Sequence, residues 1–219
     1  MSLKRAIVIY SLLHILCISG KHKPIVIMLD PAGDLRDSGR LIKDQYERTI
    51  TIKYTQAIKQ ELEKGTSKFL ILLSRIPGQQ IEQIEKAQCA NQLNIDLFIR
   101  FQVYQTEKLR PQMHFFYYKA ESWNHSTTTT FVPFEKAHIA SSTKTDHFAR
   151  HFKKSLSDNM FDRYYDLHDP IGIPCKSLKG IIAPGVCIEI GLKDPDHWSE
   201  CVKPIAESLE KICLYLNDM

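Results

Sequence analysis

Apolar residues fall into two periods along this chain. The run PIVIML (24–29) is continuous and rich in β-branched residues, as expected of a strand buried on both faces. Residues 31–43 turn small, acidic and polar and read as a loop. In DQYERTITIKYTQAIKQELEKG (44–65) the period becomes helical. Ile50, Tyr54, Ala57, Ile58 and Leu62 share one face, with Asp44 placed to cap the start and Gly65 the end. KFLILLSR (68–75) reads as a second buried strand, and Gln79 to Leu93 as a helix with Ile81, Ile84, Ala87 and Cys89 or Asn91 toward one side. IDLFIRFQVY (95–104) and QMHFFYYKA (112–120) read as the third and fourth strands, and NHSTTTTFVPF (124–134) as a loop. TDHFARHFKKSLSDNM (145–160) repeats Phe148, Phe152 and Leu156 at i, i+4, i+8. GVCIEIGL (185–192) is a strand holding one charge, Glu189, and a last helix covers about 197–216 with Ile205, Leu209, Ile212 and Leu216 on one face. Strands alternating with helices predict an α/β fold, a mostly parallel twisted sheet with helices on both faces.

The N-terminus departs from this pattern. MSLKR is a short basic start, and AIVIYSLLHILCIS follows without a Lys, Arg, Asp or Glu. Residues 1–20 therefore read as a secretory signal peptide, too short for a comfortable membrane span, with an uncleaved anchor as the alternative. Residues 21–219 show no repeat and no low-complexity linker, and read as a single domain. The protein is expected to be exported, to the periplasm or cell envelope, and to touch membrane only through an uncleaved signal. Net charge is +4, and no run of five Lys or Arg occurs, so nucleic acid is not an expected partner. Export would leave Cys89, Cys175, Cys187, Cys201 and Cys213, an odd number with no zinc-type spacing. Small buried thiols are the expectation for them, although a Cys175–Cys187 bridge is conceivable.

Three carboxylates emerge from apolar context and could converge. Asp30 ends the first strand, Glu47 lies near the start of the first long helix, and Glu189 sits between Ile188 and Ile190. Such a carboxylate suits general acid–base work because desolvation raises its pKa. Crowding against Glu47 would add to that, so Glu189→Gln is expected to stabilise the fold.

The motifs around these residues resemble one family. LDPAGDLRDSG (29–39) resembles the DPGHGGxDxG opening of the zinc-dependent N-acetylmuramoyl-L-alanine amidases, the type 3 peptidoglycan amidases, with Asp30, Pro31, Asp37 and Gly39 in register. LLSR (72–75) resembles that family's LTR, KAQCANQLNIDLFIRFQ (86–102) its RxxxANxxxxDLFISIH, and APGVCIEIGL (183–192) its PAVLVEIGF. The resemblance implies a zinc-amidase-like fold, peptidoglycan as the substrate, Glu47 as a zinc ligand and Glu189 as the catalytic glutamate.

It also exposes two departures. The family's zinc histidines correspond to Gly33 and Gln102, so only Glu47 of three ligands remains, as a vestige. One carboxylate and an amide oxygen hold zinc poorly, and without zinc no water is activated near neutral pH. The expectation is a degenerate exported amidase-like protein without a cofactor, binding wall fragments or a protein partner. The alternative is an active, metal-dependent N-acetylmuramoyl-L-alanine amidase in which Asp34 and His114 replace the missing zinc ligands.

Overall fold

The structure is a computed structural model that describes residues 23–65, 68–119 and 133–216. The signal-like segment and the threonine-rich stretch up to residue 132 lie outside the described residues. In chain order the elements are β1 (Ile25–Pro31), β2 (Leu41–Ile42), β3 (Gln45–Tyr46), α1 (Glu47–Gly65), β4 (Phe69–Leu73), α2 (Gln83–Gln92), β5 (Leu97–Gln105) and β6 (Gln112–Tyr118). There follow α3 (Ser142–Asp158), β7 (Asp166–Leu167), β8 (Ile171–Ile173), β9 (Gly185–Leu192) and α4 (Trp198–Leu216).

The main sheet runs β4-β1-β5-β9-β6-β7, with β8 also on β6. Strands β4, β1, β5 and β9 are mutually parallel, and β6 pairs antiparallel with β9, carrying β7 and β8 parallel to itself. The fold is thus α/β with a mostly parallel sheet and helices on both faces. β1 is buried along its whole length, as its unbroken apolar run predicts.

Alternation along the strands sorts the two faces. Ile27, Leu29, Ile99, Phe101, Met113, Phe115, Ile188 and Ile190 turn to one side and meet Ile50, Tyr54 and Ile58 of α1, Phe148 and Phe152 of α3, and Ile205 and Leu209 of α4. On the other side Val26, Met28, Phe98 and Cys187 meet Ala87 and Ala90 of α2, with Leu178 and Ile181. This second face becomes polar toward the strands' C-terminal ends, where Asp30, Gln102, Glu189 and His114 lie.

The elements differ from the periodicity in two instructive places. α1 starts at Glu47 rather than Asp44, because Gln45 and Tyr46 are taken into a two-residue ribbon with Leu41 and Ile42. α2 starts at Gln83, with Glu82 and Glu85 forming a reciprocal capping box, and it presents Lys86, Ala87 and Ala90 to the sheet. Ile84 is left 63% exposed. The cause is Asp30. Its carboxylate is fully buried and receives Lys86 Nζ at 2.9 Å, Arg100 Nη1 at 2.5 Å and the Ser74 hydroxyl at 2.5 Å. Turning Ile84 inward would carry Lys86 away from that charge. A buried carboxylate without cations costs far more than one exposed isoleucine.

Burial alone would raise the Asp30 pKa, but Lys86 and Arg100 outweigh it, and the group stays below the usual carboxylate range. Asp30→Asn should therefore destabilise the protein by about 3–5 kcal/mol at pH 7, the scale of breaking a buried ion pair. Because the folded pKa is the lower one, this contribution is complete above about pH 4 and fades as pH falls through the folded value. Paired urea melts of wild type and Asp30→Asn at pH 7 and pH 3 measure both statements; equal stability at pH 7 would refute them.

Candidate functional site

β1 hands the chain at Pro31 to a loop closed by its own acidic side chains. Asp34 Oδ1 accepts the backbone N–H groups of Arg36 (2.8 Å) and Asp37 (2.9 Å), and Asp37 Oδ1 accepts that of Gly39 (3.0 Å). Burial would raise the Asp34 pKa, but the donors at Asp37 and Arg36 prevail and hold it down. Gly33 adopts φ +70°, and a Cβ built there would lie 2.7 Å from Arg48 Cβ and 3.0 Å from the Asp37 carbonyl oxygen. The position therefore lacks a donor and also lacks room for one.

Glu47 opens α1 and is only 5% exposed. Its Oε1 accepts Val103 N–H at 2.9 Å, and its Oε2 accepts Arg40 N–H at 3.1 Å. Gly39 makes this possible, since a Cβ there would come 2.5 Å from Glu47 Oε2.

Glu189 lies on β9 opposite Gln102 of β5 on one side and His114 of β6 on the other. Its carboxylate is held by a guanidinium, with Arg40 Nη1 donating to Oε1 at 2.6 Å. The same guanidinium sits 5.8 Å from the centre of the Tyr104 ring. Burial would lower the Arg40 pKa, but its bond to Glu189 outweighs this and raises it. Arg40 thus reaches both carboxylates, Glu47 through its backbone and Glu189 through its side chain. Glu189 is engaged by a cation rather than repelled by Glu47, which reverses the expected sign of its neutralisation.

Gln102 Oε1 accepts the Cys187 thiol at 3.1 Å. His114 stacks on His168 with centroids 4.2 Å apart. Burial, and then His168, push its pKa down. The structure therefore brings Glu47 and Glu189 together at Arg40, with Gln102 beside Glu189 in the sheet. It does not gather Asp34, Glu47 and His114, because Asp34 closes its own turn and His114 pairs with His168. Among the described residues no group of three His, Cys, Asp or Glu could hold a metal ion. Asp30 does not join this cluster either, being fully buried and paired with Lys86 and Arg100. Sequence reasoning missed Arg40; its only signal is its place directly after Gly39.

A mostly parallel sheet carrying acidic side chains at the C-terminal ends of its central strands places this cluster where open α/β sheets put their sites. Residues 27–202 match the model of the N-acetylmuramoyl-L-alanine amidase family, and the chain belongs to that family. Comparison with curated protein sequences gives no match. Among solved structures, an N-acetylmuramoyl-L-alanine amidase of Clostridium difficile 630 is similar at TM-score 0.64 and 14% identity, over 90% of this chain and 98% of that one. The Ami1 amidase of Mycobacterium smegmatis is similar at TM-score 0.61 and 16% identity, over 90% and 100%. The CwlD amidase of Clostridioides difficile, in complex with the GerS lipoprotein, is similar at TM-score 0.57 and 17% identity, over 89% and 99%. At these identities the likeness is one of fold.

Glu189→Gln should lower stability at pH 7 by about 1 kcal/mol, since the pair is partly exposed and screened. A double-mutant cycle with Arg40→Ala should show that the two share this energy. A more stable Glu189→Gln protein would return the site to the repulsive arrangement. Gly33→His should cost at least about 1 kcal/mol from the left-handed backbone alone, and thermal melts that show no loss would mean the loop relaxes around a side chain.

Proposed function

We propose that this chain is an exported amidase-fold protein of the cell envelope that no longer catalyses metal-dependent hydrolysis and instead binds peptidoglycan fragments or a protein partner. The observation carrying this reading is the Arg40–Glu189 ion pair. In the family resemblance Glu189 would serve a metal-bound water, yet here its carboxylate holds a fixed cation at 2.6 Å.

The remaining donors do not fit a zinc ion. Both Glu47 oxygens carry backbone hydrogen bonds, Gln102 Oε1 accepts from Cys187, and Gly33 supplies nothing. Zinc needs three or four ligands in a near-tetrahedral shell. Without an ion Glu189 would have to deprotonate ordinary water, whose pKa is about 15.7. What this chain's residues can do is bind. Arg40 and Tyr104 offer a cation and a ring beside the cleft, and peptide stems of the wall carry carboxylates. A protein partner is equally concrete, since one structural neighbour is an amidase in complex with a lipoprotein.

Purified protein should carry less than about 0.2 zinc per chain and keep its melting temperature in chelator, because three-ligand coordination is missing. It should leave muramoyl–L-alanine bonds intact and be retained on isolated wall sacculi. Close to one zinc per chain, lost in Glu47→Ala, would overturn the reading and restore an active amidase with substituted ligands. Failure to be retained on sacculi would remove wall binding.

A further inference from the structure

Two of the five cysteines after residue 20 stand apart from the others. Cys187 lies on β9, two residues before Glu189, and is fully buried. Cys175 follows β8, and its backbone N–H bonds the Ile173 carbonyl at 2.7 Å. β8 and β9 both pair with β6, where Ile173 lies opposite Tyr118 and Cys187 opposite Phe116. The chain between them folds back, so partly exposed Cys175 packs against the same apolar cluster that contains Cys187. The two thiols are near enough for each to be the largest influence on the other's ionisation. Ser177 Oγ lies 3.1 Å from Cys175 Sγ, and Arg100 is the register neighbour of Cys187 on β5. Arg100 Nε is buried without a hydrogen-bond partner.

We propose that Cys175 and Cys187 form a thiol–disulfide exchange site that accepts a low-molecular-weight disulfide and closes into an intramolecular bridge. Cys175 is the attacking thiol. The neighbouring Cys187 side chain brings its pKa down to about 6, against the opposing effect of burial, with Ser177 and Arg100 assisting. Cys187 is pushed the other way by Cys175 and by burial, keeps its proton on the bond to Gln102, and is the resolving thiol. In the first step the Cys175 thiolate attacks one sulfur of RSSR, forming Cys175–S–S–R and releasing RS⁻. In the second, Cys187 loses its proton to solvent and attacks the Cys175 sulfur, releasing a second RS⁻. Two protein thiols are oxidised and one external disulfide is reduced to two thiols. The bridge removes the S–H that Cys187 donates to Gln102 and ties the segment after β8 to the strand carrying Glu189. This inference is independent of whether the cleft binds wall fragments.

The test is exposure of reduced, reductant-free protein to oxidised glutathione, followed by non-reducing peptide mass spectrometry. Wild type should yield a linked Cys175–Cys187 peptide. Cys187→Ser should instead trap glutathione on Cys175, and Cys175→Ser should give neither bridge nor adduct at Cys187. The rate at Cys175 should change less than about twofold between pH 7 and 8, where a thiol ionising near 8.5 gains several-fold. Wild-type protein with a native melt but no linked peptide overturns the proposal, with or without the variants. So does Cys187→Ser that collects glutathione at exposed Cys89 but not at Cys175.

Discussion

The Glu47 carboxylate holds the site in its shape. It takes one hydrogen bond from the backbone of β5, at Val103, and one from the backbone of the loop, at Arg40. It also stands in the first turn of α1, where the helix dipole favours a negative charge. The loop, the start of α1 and the distant strand β5 therefore meet at one side chain. Both donors are main-chain N–H groups, which must be satisfied once buried. The requirement for Gly39 follows directly, because any side chain there would occupy the place of Glu47 Oε2. A residue that the family resemblance assigns to metal binding has an architectural job in this chain.

Arg40 extends that logic from shape to charge. With its backbone held by Glu47, its guanidinium arrives at Glu189 and over Tyr104. Two unit charges 4 Å apart interact by about 4 kcal/mol at an effective dielectric of 20, and a divalent ion doubles this to about 8. A metal entering beside Arg40 would meet repulsion of that order unless Arg40 withdrew, and withdrawal would strand Glu189. A complete structural zinc site is worth roughly 10–16 kcal/mol, but that figure assumes a full set of deprotonated ligands. On the proposed reading, one incomplete set cannot outbid a cation that is already in place.

Much of this was legible in the sequence, and the limits have physical causes. β1 announces itself by a nearly unbroken apolar run, and β5 and β9 by apolar runs broken at a few polar residues, Arg100, Gln102 and Glu189. The stripes of α1, α3 and α4 show because each helix buries one face against the same side of the sheet. Ile84 misled because α2 is oriented by an ion pair from Lys86 to a strand 56 residues away, and hydrophobic periodicity carries no information about charge pairing. The convergence of Glu47 and Glu189 was visible through spacing of motifs. Arg40 was not, since a single arginine in a polar loop looks the same whether it faces solvent or a carboxylate. A ligand set of Asp34, Glu47 and His114 was chemically reasonable but is not assembled among the described residues, because Asp34 is consumed by its own turn.

The polar half of the sheet neutralises its acidic groups within the chain. A strand ending in Asp-Pro delivers a charge that needs a partner wherever it is buried. Here each acidic group finds one inside the chain: Asp30 has Lys86 and Arg100, Glu189 has Arg40, Asp194 has Lys43, and Glu47 has two backbone donors. Gly33 is then the only conformational fit for the tightened loop, because its φ of +70° and its closeness to Arg48 exclude a side chain. A histidine placed at Gly33 would therefore have to displace Arg48 and the Asp37 carbonyl, and with them the loop that brings Arg40 to both glutamates.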